Sequence, residues 1–191
     1  MARIPLDPPR TLTYRLVEWY SRRRFGAVAE PAAAMAHQPR VLRGNLRAEM
    51  AVEKWHALDP TLKDLAVMAA AVSIGCSWCV DFGYWVSTSK GVDPAKLRAV
   101  PQWRDSPLFD DTERAVLAYA EAVSATPPAV TDAMVADLRR RLDDAALVEL
   151  TMMIAVENER SRFNSALGLH SQGFSDRCEV PAPALRTAAS S

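Results

Sequence analysis

Cys76-Ser77-Trp78-Cys79 brings together the two side chains of this chain best suited to covalent chemistry. Residues three apart on a helix share a face, so the two sulfurs can meet in a small disulfide ring. A cysteine acts as a nucleophile through its thiolate. The start of a helix favours that form, because unpaired N–H groups and the positive end of the helix dipole stabilise negative charge there. Gly75, immediately before Cys76, is a natural helix end, which puts the pair at the start of the next helix. Small buried cysteines also pack well in an Ala-rich core, so spacing alone leaves redox work and plain packing both open.

Other chemistries find less support. A zinc site needs a second pair of ligands at ligand spacing. His37, His56 and His170 are scattered singly and Cys178 stands alone, so neither metal nor cofactor is expected. There is no Gly-rich phosphate loop and no Gly-x-Ser-x-Gly elbow. Lys+Arg and Asp+Glu both number 23, so the basic surplus that a nucleic acid or an anionic membrane attracts is missing. Arg22-Arg23-Arg24 reads as a solvated helix face. Residues 1–10 lack the apolar core of a secretory leader, and three cysteines make no disulfide framework; the expected location is cytoplasmic. Residues 65–86 carry only Asp81 as a formal charge, but Gly75 interrupts them, which argues against a membrane span.

A chain that is 49% hydrophobic and 24% charged is globular in composition. Helical spacing dominates it, and no strand-like alternation runs beyond a few residues. The expectation is an all-α fold of about seven or eight helices. A Pro-rich arm comes first, over residues 1–10. A helix with Leu12, Leu16, Trp19 and Tyr20 on one side follows, then a short Ala-rich helix up to Gln38. Leu42, Leu46, Met50 and Trp55 mark a helix over residues 41–58. Asp59-Pro60 opens the helix over residues 61–74, and the next runs from Cys76 to Ser89. Four more stretches lie near residues 94–100, 115–124, 131–138 and 144–168. The domain reading is an arm with helices over 1–40, a helical domain over 41–170 and a tail over 171–191.

Asp64 precedes Cys76 by twelve positions. On one straight helix the two would be about 18 Å apart, too far for proton exchange. An antiparallel hairpin turning at Gly75 brings Asp64 back opposite residues 83–86, within one or two turns of Cys79, where a carboxylate can serve as a base. The competing use is to decorate the start of its own helix.

An acid, eleven residues, then Cys-x-x-Cys on an apolar helical hairpin resembles the carboxymuconolactone decarboxylase/alkylhydroperoxidase D-like family. Glu113-Arg114-Ala115-Val116-Leu117-Ala118-Tyr119-Ala120, Val130-Thr131-Asp132, Asp144-Ala145-Ala146-Leu147-Val148-Glu149-Leu150, and Asn158 with Ser161-Arg162-Phe163-Asn164 strengthen it in order and spacing. The resemblance implies an all-α subunit that assembles into trimers, hexamers or related homo-oligomers. It also implies reduction of peroxides by the dithiol, with Cys79 attacking and Cys76 resolving to a disulfide, and a reducing thiol protein as partner. The family pattern is Glu-x11-Cys-x-x-Cys-x-x-x-His, its acid and imidazole relaying a proton. Here Asp64 stands at the acid position and Gly83 at the histidine position. Half of the relay is therefore missing. The space at Gly83 could hold water or admit a substrate against Trp78, Phe82 and Tyr84. Asp81 points nearly to the other side of the helix, and His170 is the one downstream histidine that could fold back.

The last helix carries a second polar feature. Leu147, Leu150 and Ile154 form an apolar stripe that runs on, at helical spacing, into Glu157, Ser161 and Asn164, beside Asn158. Polar groups entering a core-facing stripe need partners or water. Glu157, Asn158 or Asn164 is expected to reach the dithiol pocket or a subunit interface, against the plainer reading of a surface turn ion-paired with Arg160 and Arg162. Three functions remain: a dithiol peroxidase or disulfide-exchange enzyme, a decarboxylase or isomerase acting on a small lactone or carboxylic acid, and a non-enzymatic helical assembly.

Overall fold

The computed structural model describes residues 2–177, so Cys178 lies outside the described residues. Among these it contains nine α-helices and no strand: α1 Leu12–Phe25, α2 Glu30–Met35, α3 Pro39–Val52, α4 Pro60–Ile74, α5 Ser77–Ser89, α6 Pro94–Ala99, α7 Asp111–Ser124, α8 Asp132–Leu138 and α9 Asp144–Ala166. The all-α expectation holds. The six-residue α2 and α6 bring the number to nine.

Helix ends follow local chemistry. Asp59 caps α4 by accepting from the amides of Thr61 and Leu62, with Pro60 in the first turn. Asp110 and Glu113 form a reciprocal capping box on α7, and Asp143 accepts from the Ala146 amide at the start of α9. One boundary differs from expectation: α3 stops at Val52, so Trp55 falls beyond the helix.

Chain contacts divide the molecule into two units. The first comprises residues 1–55 with 166–169. Its core gathers Tyr14, Ala33, Ala36 and Leu42, flanked by Leu6, Val17, Val28 and Leu46. The stripe of Leu12, Leu16, Trp19 and Tyr20 on α1 faces away from that core and is exposed, with Leu12 at 79%. Amphipathic spacing thus identified the helix, while Tyr14 and Ser21 are its buried positions.

The second unit comprises residues 56–165 with those from 170 onward. Its centre is α4, packed against both α5 and α7. Residues 64–66 and 68–71 of α4 are buried on all sides, and the run Ala69-Ala70-Ala71 permits close approach by its neighbours. At the entry to α4, Glu149 of α9 pairs with Lys63 and accepts from the Ala57 amide at 2.6 Å. Burial pushes the Glu149 carboxyl up. The Lys63 hydrogen bond, the Ala57 amide, the Lys63 charge and the Leu58 amide outweigh it and hold the group below the usual glutamate value.

A depressed folded value means that this stability is complete above the ordinary glutamate pKa of about 4.3 and is lost as pH falls through the folded value. Glu149→Gln should therefore cost about 3 kcal/mol at neutral pH by removing the buried carboxylate that faces Lys63. Denaturant melts should show wild type converging on the variant in acid.

Candidate functional site

Gly75 adopts the left-handed conformation, φ 81°, that lets α4 end and the chain reverse into α5. Cys76 is the N-cap of α5, and its sulfur accepts from the Cys79 amide at 3.2 Å. Cys76 and Cys79 form a disulfide, with Cα atoms 5.3 Å apart. Both are enclosed, at 1% and 6% exposure. Across from them stands Asn164 of α9, 2% exposed. Its Nδ2 lies 3.3 Å from Cys79 Sγ and 3.9 Å from Cys76 Sγ. Its Oδ1 is buried without a hydrogen-bond partner.

The hairpin forms, but Asp64 is not delivered to the sulfurs. A Cβ on Gly83 would meet the terminal methyl of Met68 at 3.7 Å, so these two positions oppose one another. Asp64, one turn earlier on α4, lies opposite the far end of α5. Both its oxygens accept from Lys90 Nζ, at 2.9 and 3.3 Å. The antiparallel register explains this, since each step back along α4 moves its neighbour further along α5, away from Cys76. The Met68 methyl stands on the face of Gly83, and His170 is exposed.

Trp78 and Phe82 likewise serve packing. They stack with centroids 4.8 Å apart, and Phe174 meets Phe82 edge-on at 5.1 Å. Trp78 Nε1 donates to Gln172 Oε1 at 2.8 Å. Tyr84 is wholly buried. Asp81, on the same outer side of α5, accepts from the amides of Gln172, Phe174 and Ser175 at 2.9, 3.1 and 2.8 Å. This clamp was missed in the sequence because its donors are backbone groups of an irregular segment. An acid inside an otherwise apolar helix was the available signal.

On α9 the three polar candidates separate. Asn164 reaches the disulfide. Glu157 is buried, accepts from Ser161 Oγ at 2.7 Å and pairs with Arg160 at 3.4 Å. Asn158 donates to Ser124 Oγ at 2.8 Å, and Arg162 donates to Ser124 O and Thr126 Oγ1, which ties α9 to the end of α7. Among the described residues no cluster of three or more His, Cys, Asp or Glu could hold a metal ion, and no helix is long and apolar enough to cross a membrane.

The profile of the carboxymuconolactone decarboxylase family matches residues 39–122, which include the hairpin and both cysteines. The uncharacterised protein YnjA of Escherichia coli K12 is 36% identical over 171 residues, covering 89% of this chain and 92% of that protein. The chain belongs to the carboxymuconolactone decarboxylase family. Solved structures agree on the fold. The debrominase Bmp8 superposes with a TM-score of 0.77 at 20% identity, over 90% of this chain and 94% of that one. An uncharacterised peroxidase-related protein of Ralstonia eutropha JMP134, described as an alkylhydroperoxidase AhpD core, gives 0.73 at 18%, over 91% and 94%. This family member thus has an AhpD-like fold with a Cys-x-x-Cys pair at the head of α5.

Burial pushes the Asp81 carboxyl up, but the Ser175 amide and hydroxyl, the Phe174 amide and the Ser171 hydroxyl hold it below the usual carboxylate range. Its clamp is therefore complete above about pH 3.9 and is lost as pH falls through the folded value. Asp81→Asn should speed hydrogen exchange at the Gln172, Phe174 and Ser175 amides by at least about tenfold at neutral pH. Acidification should bring wild type toward the variant.

Proposed function

We propose that this protein is a dithiol oxidoreductase of the alkylhydroperoxidase D-like type, reducing small hydroperoxides through Cys79 and Cys76. The observation that carries the reading is the disulfide at the N-terminus of α5, where amide and carboxamide donors converge on both sulfurs. In the reduced enzyme the Cys79 thiolate attacks the terminal peroxide oxygen. The O–O bond breaks, the alcohol leaves with a proton, and Cys79 becomes a sulfenic acid. The Cys76 thiol then displaces water to form the disulfide, and two thiols of a reducing partner restore the dithiol while becoming a disulfide themselves. Enclosure of both sulfurs favours a small substrate.

Peptide mapping tests this. One equivalent of hydroperoxide should remove two thiols and yield the Cys76–Cys79 disulfide, and Cys76→Ser should trap Cys79 as the sulfenic acid. Survival of the Cys76 and Cys79 thiols after stoichiometric peroxide would refute it. Asp64→Asn should slow oxidation by less than about tenfold, below the 10²–10⁴-fold of a true general base, because its carboxylate is held by Lys90.

A second reading draws on that same arrangement. With Asp64 engaged and no side chain at Gly83, exchange with a disulfide, whose leaving thiolate needs no proton, is the alternative use of the pair. Faster reaction of the reduced protein with a small aromatic disulfide than with any hydroperoxide would favour it.

The protein acts as a homo-oligomer in this reading, supported by the exposed α1 stripe of Leu12, Leu16, Trp19 and Tyr20. Native mass should be a multiple of the 21.0 kDa chain. Leu16→Glu with Trp19→Glu should lower it while leaving helical content intact.

A further inference from the structure

Asn164 is the residue on α9 that touches the reacting atoms, and its surroundings bear the marks of a functional group rather than a structural one. It is 2% exposed, at the end of the buried run Glu157, Ser161 and Asn164 on α9, so its carboxamide is held out of water at a cost that an aliphatic side chain would not carry. Its Nδ2 contacts the two sulfurs unequally, at 3.3 Å from Cys79 and 3.9 Å from Cys76. Its Oδ1 is buried with no partner, which is a standing cost to the fold. A neutral disulfide sulfur is a weak acceptor and returns little for that cost. A thiolate at the same place is a strong one, because hydrogen bonds to charged groups are roughly twice as strong as neutral ones.

We infer that Asn164 is a catalytic residue whose carboxamide stabilises the Cys79 thiolate in the reduced enzyme and so selects Cys79 over Cys76 as the nucleophile. This rests on the dithiol reading above. The selection is needed because the helix start by itself does not supply it. Among the described residues, the backbone amide that donates to a sulfur, that of Cys79, serves Cys76 at 3.2 Å. Without Asn164 the thiolate better supplied with donors would be that of the N-cap cysteine. The donor is neutral and holds its proton, so it stabilises the anion without competing for a proton of its own.

The test is peptide-resolved alkylation of the fully reduced protein with iodoacetamide across pH, which reads each cysteine separately and leaves Cys178 as an internal reference. Asn164→Leu should raise the Cys79 midpoint by about one to two pH units, the worth of one charge-assisted hydrogen bond, with a smaller change at Cys76. Its melting temperature should hold or rise, since an unsatisfied polar atom leaves the core; a purely structural asparagine would instead lower it. Asn164→Ala removes the donor without adding a charge and should raise the Cys79 midpoint as well; it decides the matter should the leucine variant fail to fold. A Cys79 midpoint that stays put, or one that moves no more than that of Cys76, overturns the assignment. The measurement uses no peroxide, so a protein that fails to reduce hydroperoxides yet shows the selective shift would lose the proposed reaction and keep Asn164.

Discussion

The reversal at Gly75 is the constraint on which the second unit depends. Two apolar helices meet there with no loop between them. Gly75 in the left-handed conformation lets the chain turn within one residue, and Cys76 then begins α5 as its cap. Any side chain at that φ would be strained, and a longer connection would carry the first turn of α5 away from the end of α4. The sulfurs sit where they do because residues 64–66 and 68–71 hold α4 in the core. The turn sets the position of the dithiol, and packing of α4 between α5 and α7 fixes its orientation.

The two faces of α5 then divide the labour. One side presents Cys79 toward α9. The other carries Trp78, Phe82 and Asp81, which hold the segment around Gln172–Ser175 by stacking, by one indole hydrogen bond and by three backbone amides. Trp78 lies between the two cysteines in sequence, so the turn that bears the chemistry is braced from outside the site. Enclosure of the disulfide and anchoring of that segment are consequences of the same helix.

Much of this was legible from residue types and spacing. Asp59-Pro60 and Gly75 mark the start of the hairpin and its turn, and the polar residues that interrupt the apolar stripe of α9 marked where a buried contact would be made. Register was less accessible. Whether Asp64 reaches residue 83 or the last turn of α5 depends on the offset of two helices joined by a single glycine, and no local signal encodes it. Lys90 entered no expectation because a lysine beside a helix end reads as ordinary solvated charge. The aromatic residues of α5 misled for a similar reason: a cluster that seals a core and one that lines a pocket have the same composition, and Phe174, which decides between them, is ninety residues away in sequence. The exposed stripe on α1 shows the same limit, since amphipathic spacing reports that a helix has two faces and not what covers each.

A site arranged this way has a chemical consequence. The family pattern places an acid and an imidazole where they can carry a proton, whereas here the acid is ion-paired at the far end of α5 and position 83 faces a methyl group. What remains beside the sulfur is a carboxamide, which can stabilise charge and cannot move a proton at neutral pH. Forming a thiolate needs only the former. Expelling an alkoxide from a peroxide needs the latter as well, and solvent must then supply the proton at the moment the O–O bond breaks. With both sulfurs almost wholly enclosed, that proton must arrive with the substrate or along the path it opens. Under the proposed dithiol reading, such a site favours substrates whose leaving group is already stable as an anion, or whose own hydroxyl brings the proton with it.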